Sequence, residues 1–177
     1  TQGAWADELP DWAAWEEAYQ FDCNAPFGTV AQPQRKSLGG FSYEFAGGTV
    51  KVRREEPRKA KAVTVGVIAG IKELEPETKA ALQAVLARFE AADVDVVLVG
   101  GDTAEAPDAL DQIYGFLVEA TRRPILTLAG NTERGGAHNY AIGKLRKAGQ
   151  VHLINLGLIR RYDGEGVDVV GLSGYHD

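Results

Sequence analysis

The chain has 177 residues, 45% hydrophobic and 25% charged, with a formal net charge of -6. That length suits one domain or a domain with an appendage, and it buries roughly 70% of the unfolded surface. The acidic balance argues against a nucleic-acid partner, whose phosphates select basic surfaces. The apolar runs fall short of the ~20 residues of a membrane span, and the single cysteine, Cys23, excludes an intrachain disulfide.

The N-terminal third differs in texture from the rest. It holds all three tryptophans, and Trp12, Trp15 and Tyr19 recur at helical spacing, with Pro10 suited to the first turn. An aromatic stripe of this kind either packs onto the main domain or anchors a partner protein, because exposed aromatics are frequent interface hot spots. Residues 24–40 are rich in Pro, Gly and polar side chains and read as a linker or irregular segment. Phe41, Tyr43 and Phe45, then Val50 and Val52, alternate as in a hairpin with one buried face. The sequence contains no methionine, and an exported, periplasmic protein that has lost a leader is expected in preference to a cytoplasmic one.

From Val63 onward, strands and helices alternate. Residues 63–69 and 94–100 are continuous apolar runs, the mark of strands buried on both faces. Between them Pro76 opens a helix with Leu82, Val85, Leu86 and Phe89 on one side. Pro107 precedes a second helical stripe of Leu110, Ile113, Tyr114, Leu117 and Val118. A third strand follows near residues 123–130, then a helix over about 138–148 ending near Gly149, then three short strands with Gly164 and Gly166 at a turn. The predicted architecture is α/β, a layered sheet covered by helices, with a helical and hairpin extension at the N-terminus. Residues 1–40 form the arm and linker, and residues 41–177 the α/β domain. Ligands on parallel sheets bind at the carboxyl ends of the strands. Those ends read IAGIKE, GGDTAE and AGNTER.

An apolar strand ending in Gly-Asp, a helix, and an apolar strand ending in Gly-Asn resemble the calcineurin-like metallophosphoesterases. The resemblance covers about two-thirds of the chain, and the helix, strand and hairpin after the third corner follow in the family's order. It implies a pair of divalent metals (Mn, Fe, Zn, Mg or Ni) that clamp a phosphate and generate hydroxide. Asp102 stands at the position of the bridging carboxylate, Asn131 at that of an amide ligand, and Glu133 at that of the acidic residue after the general acid. Gly70 and Lys72, however, occupy the places of the first motif's aspartate and histidine, and Thr132 that of the general-acid histidine.

These departures imply a domain without catalytic residues, serving a structural or partner-binding role, with Trp12, Trp15 and Tyr19 as the partner contact. Lys72 is then expected to neutralise Asp102 in place of a metal. In the alternative, an active phosphoesterase, metal binds Asp102 and Asn131 with further ligands outside the chain, because the domain is expected to be incomplete at its C-terminus. His176 is expected to precede the family's later histidine motifs, and His138 and His152 to be structural or surface residues.

Overall fold

A computed structural model describes residues 33–57, 62–130, 132–133, 135–157, 161–164 and 166–171. The aromatic arm, Cys23, Asn131 and His176 lie outside the described residues. Within them the chain forms two sheets and three helices. The first sheet is mixed, in the order β1 (Gln34–Leu38), β2 (Phe41–Ala46), β3 (Thr49–Arg54), β8 (Arg161–Gly164), β9 (Val167–Val169). Its pairs are antiparallel except β3 with β8. The second is wholly parallel, in the order β4 (Val65–Ile68), β5 (Val96–Val99), β6 (Ile125–Thr127), β7 (Leu153–Asn155). The helices are α1 (Pro76–Ala91), α2 (Pro107–Ala120) and α3 (Gly135–Lys147).

The period of two along each parallel strand decides the layering. On β5, Val97 and Val99 point into a core shared with Leu82 and Leu86 of α1, Leu110, Ile113 and Leu117 of α2, and Ile142 of α3. Val96 and Leu98 point the other way, into a second core with Phe41, Tyr43, Phe45, Val50 and Val52 of the mixed sheet. Ile125 and Leu153 join the first core, and Leu126 and Ile154 the second. The helices therefore cover one face of the parallel sheet, and the mixed sheet covers the other. The expected parallel sheet with covering helices is present, and the helices take one of its two faces. A continuous apolar run records burial on both faces but not what does the burying.

Local signals account for the element ends. Pro76 and Pro107 each occupy the first turn of a helix, where a missing N–H costs nothing. Gly149, at φ 89°, follows α3 in a left-handed conformation that suits glycine. The helix begins at Gly135, three residues earlier than the apolar pattern suggests. Residues 34–38, inside the stretch expected to be irregular, form β1 and pair with β2 from Gln34↔Phe45 to Leu38↔Phe41. Four of these five residues are exposed, so this edge strand offered no apolar alternation to read.

Two arginines tie the layers at the amino ends of the parallel strands. Arg54 of β3 donates to Asp95 Oδ1 at 3.0 Å and reaches the carbonyls of Asp93 and Val94. Arg123, before β6, donates to Glu90 Oε2, to Asp93 Oδ1 and to the Val94 carbonyl at 2.8–2.9 Å. Both guanidinium groups are largely buried, and their forked donors suit several acceptors at once. They join the turn after α1 to the mixed sheet on one side and to the α2–β6 connection on the other.

At Gly66 of β4, a Cβ would lie 2.6 Å from the Phe89 ring of α1. A Gly66→Ala variant is expected to lose about 1–3 kcal/mol of stability through overpacking. Urea unfolding of Gly66→Ala with and without Phe89→Leu checks this, and the smaller residue at 89 should recover most of the loss.

Candidate functional site

Three connections meet at the carboxyl ends of the parallel strands: residues 69–75 after β4, 100–106 after β5, and 128–130 with 132–133 after β6. The first two are stitched by backbone. The Lys72 N–H donates to the Thr103 carbonyl at 2.8 Å, the Glu105 N–H to the Lys72 carbonyl at 3.2 Å, and Lys72 pairs with Ala104 in a parallel bridge. The second and third approach backbone to backbone. A Cβ on Gly101 would collide with the Gly130 backbone, and one on Gly130 with the Asp102 amide. Both glycines are therefore required by space.

Glu133 sits at the centre of this corner. Its side chain is buried and accepts from the Asp102 N–H at 3.1 Å, the Ala104 N–H at 3.0 Å, the Gly130 N–H at 2.7 Å, and the Thr103 N–H. Four amide donors from two loops thus converge on one carboxylate, which is how a buried charge is tolerated. Asp102 is turned by this arrangement into the left-handed region, φ 58°, which an aspartate accepts more readily than most residues. Its Oδ1 accepts long hydrogen bonds from the Thr132 N–H and hydroxyl, at 3.3 and 3.4 Å.

Lys72 does not take the expected partner. Its Nζ donates to Glu105 Oε1 at 2.7 Å, and both side chains are more than half exposed. The hydrogen bond and charge of Glu105 raise the Lys72 pKa, with Asp102 the weakest of the contributing charges. The sequence signal was present in the acid of GGDTAE, three residues after Asp102. The left-handed backbone of Lys72, φ 70°, and its bridge to Ala104 set the direction of the side chain, and neither is visible in a sequence.

Beneath the corner lies a buried polar group that sequence reasoning missed. The Tyr114 hydroxyl of α2 is 3.0 Å from Thr127 Oγ1 of β6 and 2.9 Å from His138 Nδ1 of α3. The Tyr114 and His138 rings meet edge to face. Among the described residues His138 Nε2 has no hydrogen-bond partner. Asn155 of β7 lies near enough to favour a proton on the ring without bonding Nε2 in good geometry, and its own amide bonds Asn139 at 2.7 Å. Burial holds His138 near a pKa of about 4, against the opposing pull of the Glu133 carboxylate. His152 is also buried and pushed to about 4, by burial and by Arg122, with Nε2 3.1 Å from the Thr121 carbonyl. Both histidines are internal, so the surface alternative for them is excluded.

These residues do not fit a two-metal centre. Gly70 brings no side chain, Lys72 brings a cation engaged with Glu105, and Glu133 spends its oxygens on backbone amides. Among the described residues no three His, Cys, Asp or Glu side chains are grouped as a metal would need. A comparison with models of known protein families finds no match, and a comparison with curated proteins finds none either. No helix among the described residues is long and apolar enough to cross a membrane.

Two outcomes follow. Both histidines are neutral in the folded state down to about pH 4, whereas ordinary values are 6.5. The unfolded chain therefore binds protons first as pH falls, so stability is full above about 6.5 and is lost progressively towards 4, on the order of 3 kcal/mol per ring. Urea unfolding across that window should show the slope, and His138→Gln should reduce it. At Asp102, the left-handed backbone makes Asp102→Ala less stable than Asp102→Gly by about 1 kcal/mol, the reverse of their usual order. Thermal unfolding of the pair checks this.

Proposed function

We propose that the segment from Val63 onward is a calcineurin-like metallophosphoesterase domain that no longer catalyses and serves a structural or partner-binding role. The carrying observation is the first corner. Where the resemblance places an aspartate and a histidine for metal, the chain has Gly70 without a donor and Lys72 with its ammonium on Glu105. A cation fixed 2.7 Å from an exposed acid opposes a second cation nearby, and no side-chain substitute for the lost ligands stands among the described residues. The alternation of β4, α1, β5, α2 and β6, with Asp102 after β5, supports the frame of the domain. Fold and chemistry are separable in this way because a frame survives the loss of its site. In this reading the aromatic arm, through Trp12, Trp15 and Tyr19, is the contact to a protein partner.

The test is metal content and turnover on the same purified sample. The expected result is less than about a tenth of an equivalent of bound metal, and no hydrolysis of a generic phosphodiester or phosphomonoester with added Mn, as a corner without its ligand set implies. Turnover that Asp102→Ala abolishes would establish the alternative, an active enzyme completed by ligands outside this chain.

A further inference from the structure

Four N–H groups aimed at one point form an anion site whatever anion fills it. Here the occupant belongs to the chain. Glu133 lies on the loop after β6, and three of its four donors, Asp102, Thr103 and Ala104, lie on the loop after β5. The fourth, Gly130, is three residues before the acid itself. Both carboxylate oxygens are used: Oε1 takes Thr103 and Ala104, and Oε2 takes Asp102 and Gly130. The donors are peptide groups, and their directions are fixed by the close approach of Gly101 to Gly130 and by the bridge of Lys72 to Ala104. The Thr103, Ala104 and Gly130 amides are held in this way without Glu133, whereas the Asp102 turn between them is closed by the carboxylate. All four need some carboxylate to be satisfied.

We propose that these four amides are a preformed carboxylate-binding nest, that Glu133 is its built-in ligand, and that Glu133 thereby acts as the positioning residue for Asp102. The Asp102 amide is one of the four donors, and its side chain leaves the same residue at φ 58°. Holding the amide fixes the backbone turn, and the turn sets the direction in which the carboxylate meets Thr132. The nest itself does not depend on metal, because its four donors are backbone amides and their acceptor is Glu133.

A nest that is preformed can be refilled. Removing the side chain in Glu133→Ala leaves space for a small carboxylate, and formate is the probe. The expected result is a fall in melting temperature of about 5–10 °C for Glu133→Ala, since buried donors lose a charged acceptor. Sodium formate should recover at least half of it with saturation, whereas sodium chloride at equal ionic strength should not. Formate should leave the unsubstituted protein unchanged, because its nest is full. In amide-resolved NMR, the Thr103, Ala104 and Gly130 signals of the variant should move back towards their original positions on adding formate, together with the Asp102 side-chain carboxyl carbon. Recovery that is linear, or equal with chloride, would overturn the nest. Recovery of the amides with an unmoved Asp102 carboxyl would overturn its role in positioning.

If Glu133→Ala does not fold, Glu133→Gln keeps the shape and removes the charge. The Thr103 and Ala104 amide signals must then move upfield as their acceptor weakens, and unchanged signals would overturn the proposal.

Discussion

A buried carboxylate must be surrounded by donors, and at this corner the donors are the backbone itself. Glu133 accepts from Asp102, Thr103, Ala104 and Gly130, and the loops after β5 and β6 meet around it. Much else follows from that demand. Two chains of peptide groups can approach so closely only where neither carries a side chain, which places Gly101 and Gly130 at the contact. Turning three successive amides from Asp102 to Ala104 towards one acceptor requires an unusual backbone, and Asp102 adopts it. Strain of this kind persists where the surroundings over-determine it. Here the surroundings are the anion and the bridge between Lys72 and Ala104.

The opposite end of the sheet is organised by the opposite charge. Arg54 and Arg123 converge on the segment from Glu90 to Asp95, one reaching from the mixed sheet and the other from the connection before β6. Between these two ends the cores are largely apolar, and alternation along the strands divides them. β5, β6 and β7 each send one side chain towards the helices and the next towards the mixed sheet. β4, at the edge, is different. Ile68 faces the helical core, while Val65 and Val67 remain 44% and 61% exposed. The mixed sheet therefore does not cover the outer face of the first parallel strand.

Much of the frame was legible in the sequence because its signals are local. Pro76 and Pro107 mark helix starts, the apolar runs mark the parallel strands, and the alternation from Phe41 to Val52 marks a hairpin. What failed was pairing information. β1 has a solvated sequence and exists because β2 offers it an edge, and the mixed sheet's cover over the parallel one is a contact between distant segments. The same limit governs the site. Asp102, Glu133 and Lys72 were all visible as residues at strand ends. The acceptor role of Glu133 was not, because its partners are backbone amides that every residue but proline possesses. Nor was the choice of Glu105 over Asp102 by Lys72, because that rests on the left-handed turn at Lys72. Tyr114, Thr127 and Asn155 were hidden for another reason: a single polar residue within an apolar stripe does not disclose which buried group it faces.

Order at strand ends is often taken as the imprint of a ligand, and here bonds within the chain supply it among the described residues. The loops after β4, β5 and β6 are held by backbone bonds through Lys72, by the ion pair of Lys72 with Glu105, and by the four amides on Glu133. Every one of these is internal to the chain. A corner held by such bonds does not require a ligand to keep its shape. Under the reading proposed above, a frame of this kind and Asp102 at its strand end would coexist with Gly70 and Lys72 for that reason. The shape of this corner rests on peptide groups and on Glu133, whereas any chemistry there would depend on side chains that the shape does not require.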